Sequence, residues 1–289
     1  MKYVVITPVR NEAAHIVHTL NSMAYQSVKP TRWVIVDDGS SDATPDIVDH
    51  FRTQYSWMQL IGRSDRGFRQ RGAGVVEAFY VGYDALHDVA FDVIAKLDGD
   101  VCFNFDYFER LLQILSDDAR LGITGGAVYE PDGEQWKLAS FRDHVRGPTK
   151  VYRRTCFEAI GGIVRSLGWD GLDEWQARVF GWRVQTAMEV PLLHYRPTGG
   201  ATGSLKTRVE LGYGAHSIGY HPLFMLARSI RHLAKPPYVV GSCAMMGAYL
   251  WASLTRRTRA ANREVIRYVR RTQLSQLAGL LFGKSVHQR

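Results

Sequence analysis

Apolar positions along the first 130 residues fall into short dense runs, separated by longer stretches in which they recur every three or four residues. Tyr3-Val4-Val5-Ile6, Trp33-Val34-Ile35-Val36, Met58-Gln59-Leu60-Ile61, Phe91 to Leu97 and Ile123 to Tyr129 read as strands, most of them rich in β-branched or aromatic residues. Between them, Ile16, Leu20 and Met23, then Val75, Phe79 and Tyr83, then Phe105, Phe108, Leu111, Leu112 and Leu115 each mark the inner face of a helix. Asn11 is expected to cap the first helix, and Thr44, just before Pro45, another. Strands alternating with helices imply an α/β chain with a mainly parallel central sheet covered on both faces.

Polar residues cluster where these strands end, which is the edge at which open α/β sheets bind ligands. The fourth run closes on Asp98-Gly99-Asp100. Two carboxylates one residue apart can share a divalent cation, and Gly99 lets the backbone turn tightly enough for both to converge. Mg²⁺ or Mn²⁺ held in this way keeps positions open for phosphate oxygens. Asp-Gly-Asp is also an ordinary turn, so the context decides. The second strand closes on Asp37-Asp38-Gly39-Ser40-Ser41-Asp42, and Arg63, Arg66, Arg69 and Arg71 surround Asp65 after the third. Those arginines are either a solvated face or contacts to a phosphate-bearing ligand.

Beyond about residue 203 the pattern changes, so the chain reads as a body over 1–203 and a helical region over 204–289. His216 to Leu233 is amphipathic and basic, and Tyr238 to Leu254 is a run of seventeen residues without a charge. Seventeen is at the lower limit for crossing a bilayer. The expectation is a helix that lies in or dips into the membrane interface, with a helical dimer contact as the alternative. Charge supports it: residues 201–289 hold 14 Lys/Arg and two acids, Glu210 and Glu264, against 22 Lys/Arg and 26 Asp/Glu before them, for a net +8. A basic tail of this kind suits an anionic membrane surface, and no nucleic-acid motif accompanies it. Cys102, Cys156 and Cys243 have no metal or redox spacing, and the amino terminus lacks signal-peptide organisation. Both point to a cytoplasmic protein.

Three motifs in order, Thr7-Pro8-Val9-Arg10-Asn11-Glu12, Val36-Asp37-Asp38-Gly39-Ser40-Ser41-Asp42 and Leu97-Asp98-Gly99-Asp100, resemble the family 2 glycosyltransferases of the GT-A fold. The resemblance extends through Tyr152-Arg153-Arg154 and Phe157-Glu158-Ala159-Ile160-Gly161-Gly162, over roughly residues 1–200. It implies a Rossmann-like GT-A body and transfer of a sugar, with inversion, from a nucleotide-sugar donor to a hydroxyl acceptor. A UDP-sugar is the favoured donor, and the acceptor would be a lipid-linked or other glycan in cell-surface polysaccharide assembly. On this resemblance Thr7, Pro8, Arg10, Glu12, Asp38, Arg71, Asp98 and Gly99 contact the donor. Asp100 and His194 hold Mn²⁺ or Mg²⁺, with Arg196 beside them; the alternative for His194 is a buried, hydrogen-bonded histidine at a strand end. The general base is expected in Asp170-Gly171-Leu172-Asp173-Glu174, in the order Asp173, Asp170, Glu174. This segment departs from the family's usual Glu-Asp pair, and Asp173 could instead cap the helix. A nucleotidyltransferase is the first rival, but Thr7-Pro8-Val9-Arg10 is not its glycine-rich, lysine-bearing loop; a non-catalytic nucleotide-binding scaffold is the second. The implied location is the cytoplasmic face of the membrane, peripherally bound.

Overall fold

Tyr3–Val9 (β1) is buried along its whole length, as a strand covered by helices on both faces requires. The computed structural model describes residues 1–65, 73–196 and 204–281. Its first unit comprises Met1–Arg165 and Phe180–Pro197, its second Ser166–Val179 and Thr198–Arg289. The helix around Asp170 and Asp173 therefore groups with the C-terminal helices, and the simple boundary expected at 203/204 is corrected to that extent.

In the first unit β1 is followed by α1 (Ile16–Ala24), β2 (Arg32–Asp37), α2 (Thr44–Arg52), β3 (Met58–Gly62), α3 (Ala73–Asp84) and β4 (Val93–Leu97). Next come β5 (Val101–Phe103), α4 (Tyr107–Asp117), β6 (Leu121–Asp132), β7 (Gln135–Leu138), β8 (Thr149–Arg153) and α5 (Arg154–Ala159). After the second unit's α6 (Trp169–Val179), β9 (Arg183–His194) completes the sheet. Among the described residues the strand order is β3-β2-β1-β4-β8-β6-β9-β5, with β7 paired to β6. β3, β2, β1 and β4 are parallel, whereas β8 runs antiparallel to both β4 and β6. The sheet is thus parallel through the half that carries β1, β2 and β4 and mixed beyond it.

Several local expectations are corrected. Asn11 does not cap α1, which begins five residues later without a side-chain cap; Asn11 has φ +54° and accepts a hydrogen bond from the Ser41 amide at 2.8 Å. Thr44 lies inside α2, and its hydroxyl accepts from the Glu12 amide at 2.8 Å. Phe105, read as inner-face, precedes α4 and is exposed. The inner face of α3 is Val76, Phe79 and Gly82, not Val75 and Tyr83. Gly82 explains the rotation: a Cβ there would sit 2.6 Å from Ile6 of β1 and 3.0 Å from Val36 of β2, so the helix approaches the sheet where it has no side chain.

The second unit is helical. With α6 it contains α7 (Ser204–Ile218), α8 (Pro222–His232), α9 (Tyr238–Leu254) and α10 (Arg263–Leu281). The amphipathic segment expected to run from His216 is broken at Gly219, which has φ +87°; α8 starts only at Pro222, capped by His221, whose ring nitrogen accepts from the Leu223 amide at 3.2 Å. α9 coincides with the uncharged run, and Met225, Met245, Tyr249 and Ala215 tie α7, α8 and α9 into one small core. Gly212 of α7 faces the Met245 carbonyl of α9, which a Cβ would strike.

Backbone atoms cannot yield as a flexible side chain can, so Gly212→Ala should cost roughly 1–3 kcal/mol in the second unit. Chemical denaturation should show this as a lowered midpoint. An unchanged midpoint would mean that the helices part without penalty.

Candidate active site

Asp98 and Asp100 emerge at the carboxyl end of β4, on either side of a glycine held close to the neighbouring strand. A Cβ on Gly99 would lie 2.7 Å from Val9 and 3.2 Å from Ile16, so only glycine lets this turn nest against the end of β1 and the start of α1. From the far end of β9 comes His194. One ligand atom from each of Asp98, Asp100 and His194 lies within 4.8 Å of the others. His194 Nε2 is 3.4 Å from Asp100, while Nδ1 is 3.2 Å from Glu130 at the end of β6. Arg146 holds Glu130 from the other side at 2.8 Å.

This donor set fits Mn²⁺ or Mg²⁺. Carboxylate oxygens are hard ligands, imidazole is acceptable to Mn²⁺, and a carboxylate on the far ring nitrogen is the arrangement that aims a ligating histidine. The charges also balance without a cation. Lys96, buried in β4, donates to Asp98 and to the Gly147 carbonyl. Arg196 forks onto Glu12, with one limb at 2.9 Å, and its Nε is 3.9 Å from Asp100. Burial alone would push the Asp100 carboxyl up, but the His194 hydrogen bond and the charges of His194, Arg196 and Lys96 hold it below the usual range. For His194 burial acts to lower the pKa; hydrogen bonds to Asp100 and Glu130, with the charges of Asp100 and Asp98, outweigh it and raise the pKa to about 9.

The loops after β1 and β2 are stitched together beside this cluster. Asn11 N donates to Ser40 Oγ at 2.9 Å and Ala13 N to Asp42 at 3.1 Å. Arg10 donates to the Asp38 carbonyl and pairs with Asp65, both at 2.6 Å, and Arg63 meets the Asp38 carboxylate at 2.5 Å. Pro8 sits in β1 opposite Val36. Thr7 is placed differently from a ligand-facing residue: it is fully buried and accepts the Trp33 indole N–H at 2.9 Å. Arg71 lies outside the described residues, as do Arg66 and Arg69. Asp170 stands in the first turn of α6, and Asp173 and Glu174 are buried within that helix. Asp173 is therefore not an N-cap, because α6 starts four residues before it.

Glu130, Arg146 and Lys96 complete the cluster and were not singled out in the sequence. Lys96 left a signal, as the one charge inside an otherwise apolar strand. Glu130 left none, since its role depends on the pairing of β6 with β9.

The profile of glycosyl transferase family 2 matches residues 4–167, more than half of the chain. The chain belongs to this family. It is 27% identical to the EpsH protein of Bacillus subtilis (strain 168) over 168 residues, 58% of this chain and 45% of that one. The chain therefore spans under half the length of that relative. It is also 27% identical over 250 residues to the glycosyltransferase AglE of Haloferax volcanii, covering 82% of this chain and 71% of that one. The fold resembles mannosyltransferase PcManGT from Pyrobaculum calidifontis, solved with GDP-Man and Mn²⁺, at TM-score 0.57 and 17% identity, with 97% of this chain and 80% of that one covered. It also resembles S. aureus TarS 1-349 in complex with UDP-GlcNAc, at TM-score 0.54 and 15% identity, with 96% and 81% covered. The GT-A fold expected from the motifs is the fold observed.

A metal entering the cluster competes with the proton on His194. Below pH 9 that proton must leave before Nε2 can coordinate, so apparent Mn²⁺ affinity should rise up to about tenfold per pH unit from pH 6 to 8. Calorimetry across that range tests it; a flat profile would exclude His194 as a ligand. Glu130→Ala should weaken Mn²⁺ by about 10–100-fold through loss of ring orientation, measured in the same titration.

Proposed function

We propose that the protein is an inverting, metal-dependent glycosyltransferase that moves a sugar from a nucleotide-sugar donor, in the first instance a UDP-sugar, to a hydroxyl of a lipid-linked acceptor. It would act at the cytoplasmic face of the membrane, in assembly of a cell-surface polysaccharide or glycan. The observation that carries this reading is the convergence of Asp98, Asp100 and His194 at the sheet edge, in a chain of family 2. The solved neighbours that hold GDP-Man with Mn²⁺ or UDP-GlcNAc support a nucleotide-sugar donor.

When bound, the cation supplies Lewis acidity toward the donor's diphosphate. The chain's own residues do the rest. Arg10 and Arg63 fix Asp38 and Lys96 steadies Asp98; in this reading Asp38 would contact the nucleoside and Asp98 would lie near the ribose and diphosphate. Asp173 accepts the proton of the acceptor hydroxyl as its oxygen forms the bond to the anomeric carbon, and the bond to the diphosphate oxygen breaks on the opposite face. Asp170 is its rival, one helical turn earlier.

Mn²⁺-dependent release of nucleoside diphosphate from UDP- and GDP-sugars, followed with the anomeric configuration of the product, tests the reading. Asp100→Ala should abolish Mn²⁺-dependent UDP binding. Asp173→Asn should keep donor affinity but lower turnover by roughly 10²–10⁴-fold. Full turnover in Asp173→Asn with none in Asp170→Asn would move the base to Asp170.

A further inference from the structure

α8 and α9 bury one side each and leave the other unpartnered. Met225 and Ser229 of α8 turn inward, as do Met245, Ala248, Tyr249 and Ala252 of α9. On the outer sides Leu223, Leu226 and Ile230 form one stripe at helical spacing, and Leu250, Trp251 and Leu254 another, each side chain between 48% and 79% exposed. Large side chains aligned in this way on two helices that share a core are not the scattered apolar residues of an ordinary surface.

The charge around the stripes selects what covers them. From residue 211 to residue 263 there is no Asp or Glu, while Arg231, Lys235, Arg256, Arg257 and Arg259 are all exposed. A second copy laid on this surface would bring two cationic rims together without a counter-charge. An anionic bilayer supplies the counter-charge and the apolar phase at once. Spanning is not available: α9 is 17 residues, about 25 Å of helix against a hydrocarbon core of about 30 Å, and no helix among the described residues is long and apolar enough to cross a membrane.

We propose that the outer stripes of α8 and α9 are a bilayer-docking surface, inserted into one leaflet of an anionic membrane with the helices lying in the interface. The exposed arginines and Lys235 reach the headgroup phosphates, and the leucines and Trp251 sit below them. This rests on the membrane reading above and names the part of the chain that carries it.

Flotation of the full-length protein with vesicles of phosphatidylcholine and phosphatidylglycerol tests the proposal. Wild-type protein should float, and brominated lipid should quench fluorescence that is absent in Trp251→Phe. Leu226→Asp with Trp251→Asp should weaken partitioning by about 10²-fold or more. Arg256→Gln with Arg259→Gln should weaken it by about 30-fold at low salt and by much less at high salt. All the substituted side chains are exposed, and an unchanged helical circular-dichroism signal and unfolding midpoint would verify that the variants remain folded. Failure of the wild-type protein to float would overturn both this proposal and the membrane reading. Flotation of the Asp variant as well as wild type would overturn this surface alone. If sedimentation without vesicles showed a wild-type dimer that the Asp variant dissociates, the stripes would be an interface between copies instead.

Discussion

The candidate active site depends on a steric vacancy. Asp98 and Asp100 can come together only because Gly99 presents no Cβ to Val9 and Ile16. That approach sets the β4 loop against the β1 loop, and several polar links follow from it. Glu12 reaches Arg196, Arg196 comes near Asp100, and Asp100 meets His194. Each link joins segments far apart in sequence, so the site is specified by strand order more than by any local motif. A side chain at position 99 would separate the two loops before it affected any charge.

This explains which parts could be read from the chain in advance. The parallel strands were legible because burial on both faces demands continuous apolar runs, and their ends were legible because polar loops follow at once. β5 and β7 were not, being short and paired at the sheet margin, where three or four residues carry no period. Asp98, Asp100 and His194 could be proposed from the motif and the strand end. Glu130 could not, because only the parallel pairing of β6 with β9 brings it to His194. Asn11 misled for a related reason: an asparagine before a helix is a good cap, but here the left-handed backbone turns its amide toward Ser41. Tertiary hydrogen bonds outweighed a local preference.

The second unit shows the same division between pattern and context. Absence of charge located α9 to the residue, because the run is bounded by Lys235 on one side and Arg256 on the other. It did not show which of its sides packs. The packed side carries Gly241, Ser242, Ala248 and Ala252 with Met245 and Tyr249, whereas Leu250, Trp251 and Leu254 are left outside. The small residues let neighbouring helices approach closely around Met245 and Tyr249, which fill the space between them. Hydrophobicity alone would have assigned Leu250, Trp251 and Leu254 to the core.

The electrostatics of the site follow from how its side-chain charges pair. Carboxylates from Glu12, Asp98, Asp100 and Glu130 converge, and Arg196, Lys96, Arg146 and the His194 imidazolium offset them. Neutral balance keeps four acids close in a buried setting, where unpaired charge is costly. A divalent cation held by Asp98, Asp100 and His194 would change this balance by only one positive charge if it displaced the His194 proton. Glu130, having lost the imidazolium, would still have Arg146 as its partner. The net gain would therefore be small, local and positive, at the carboxyl end of β4 where Asp98 and Asp100 stand.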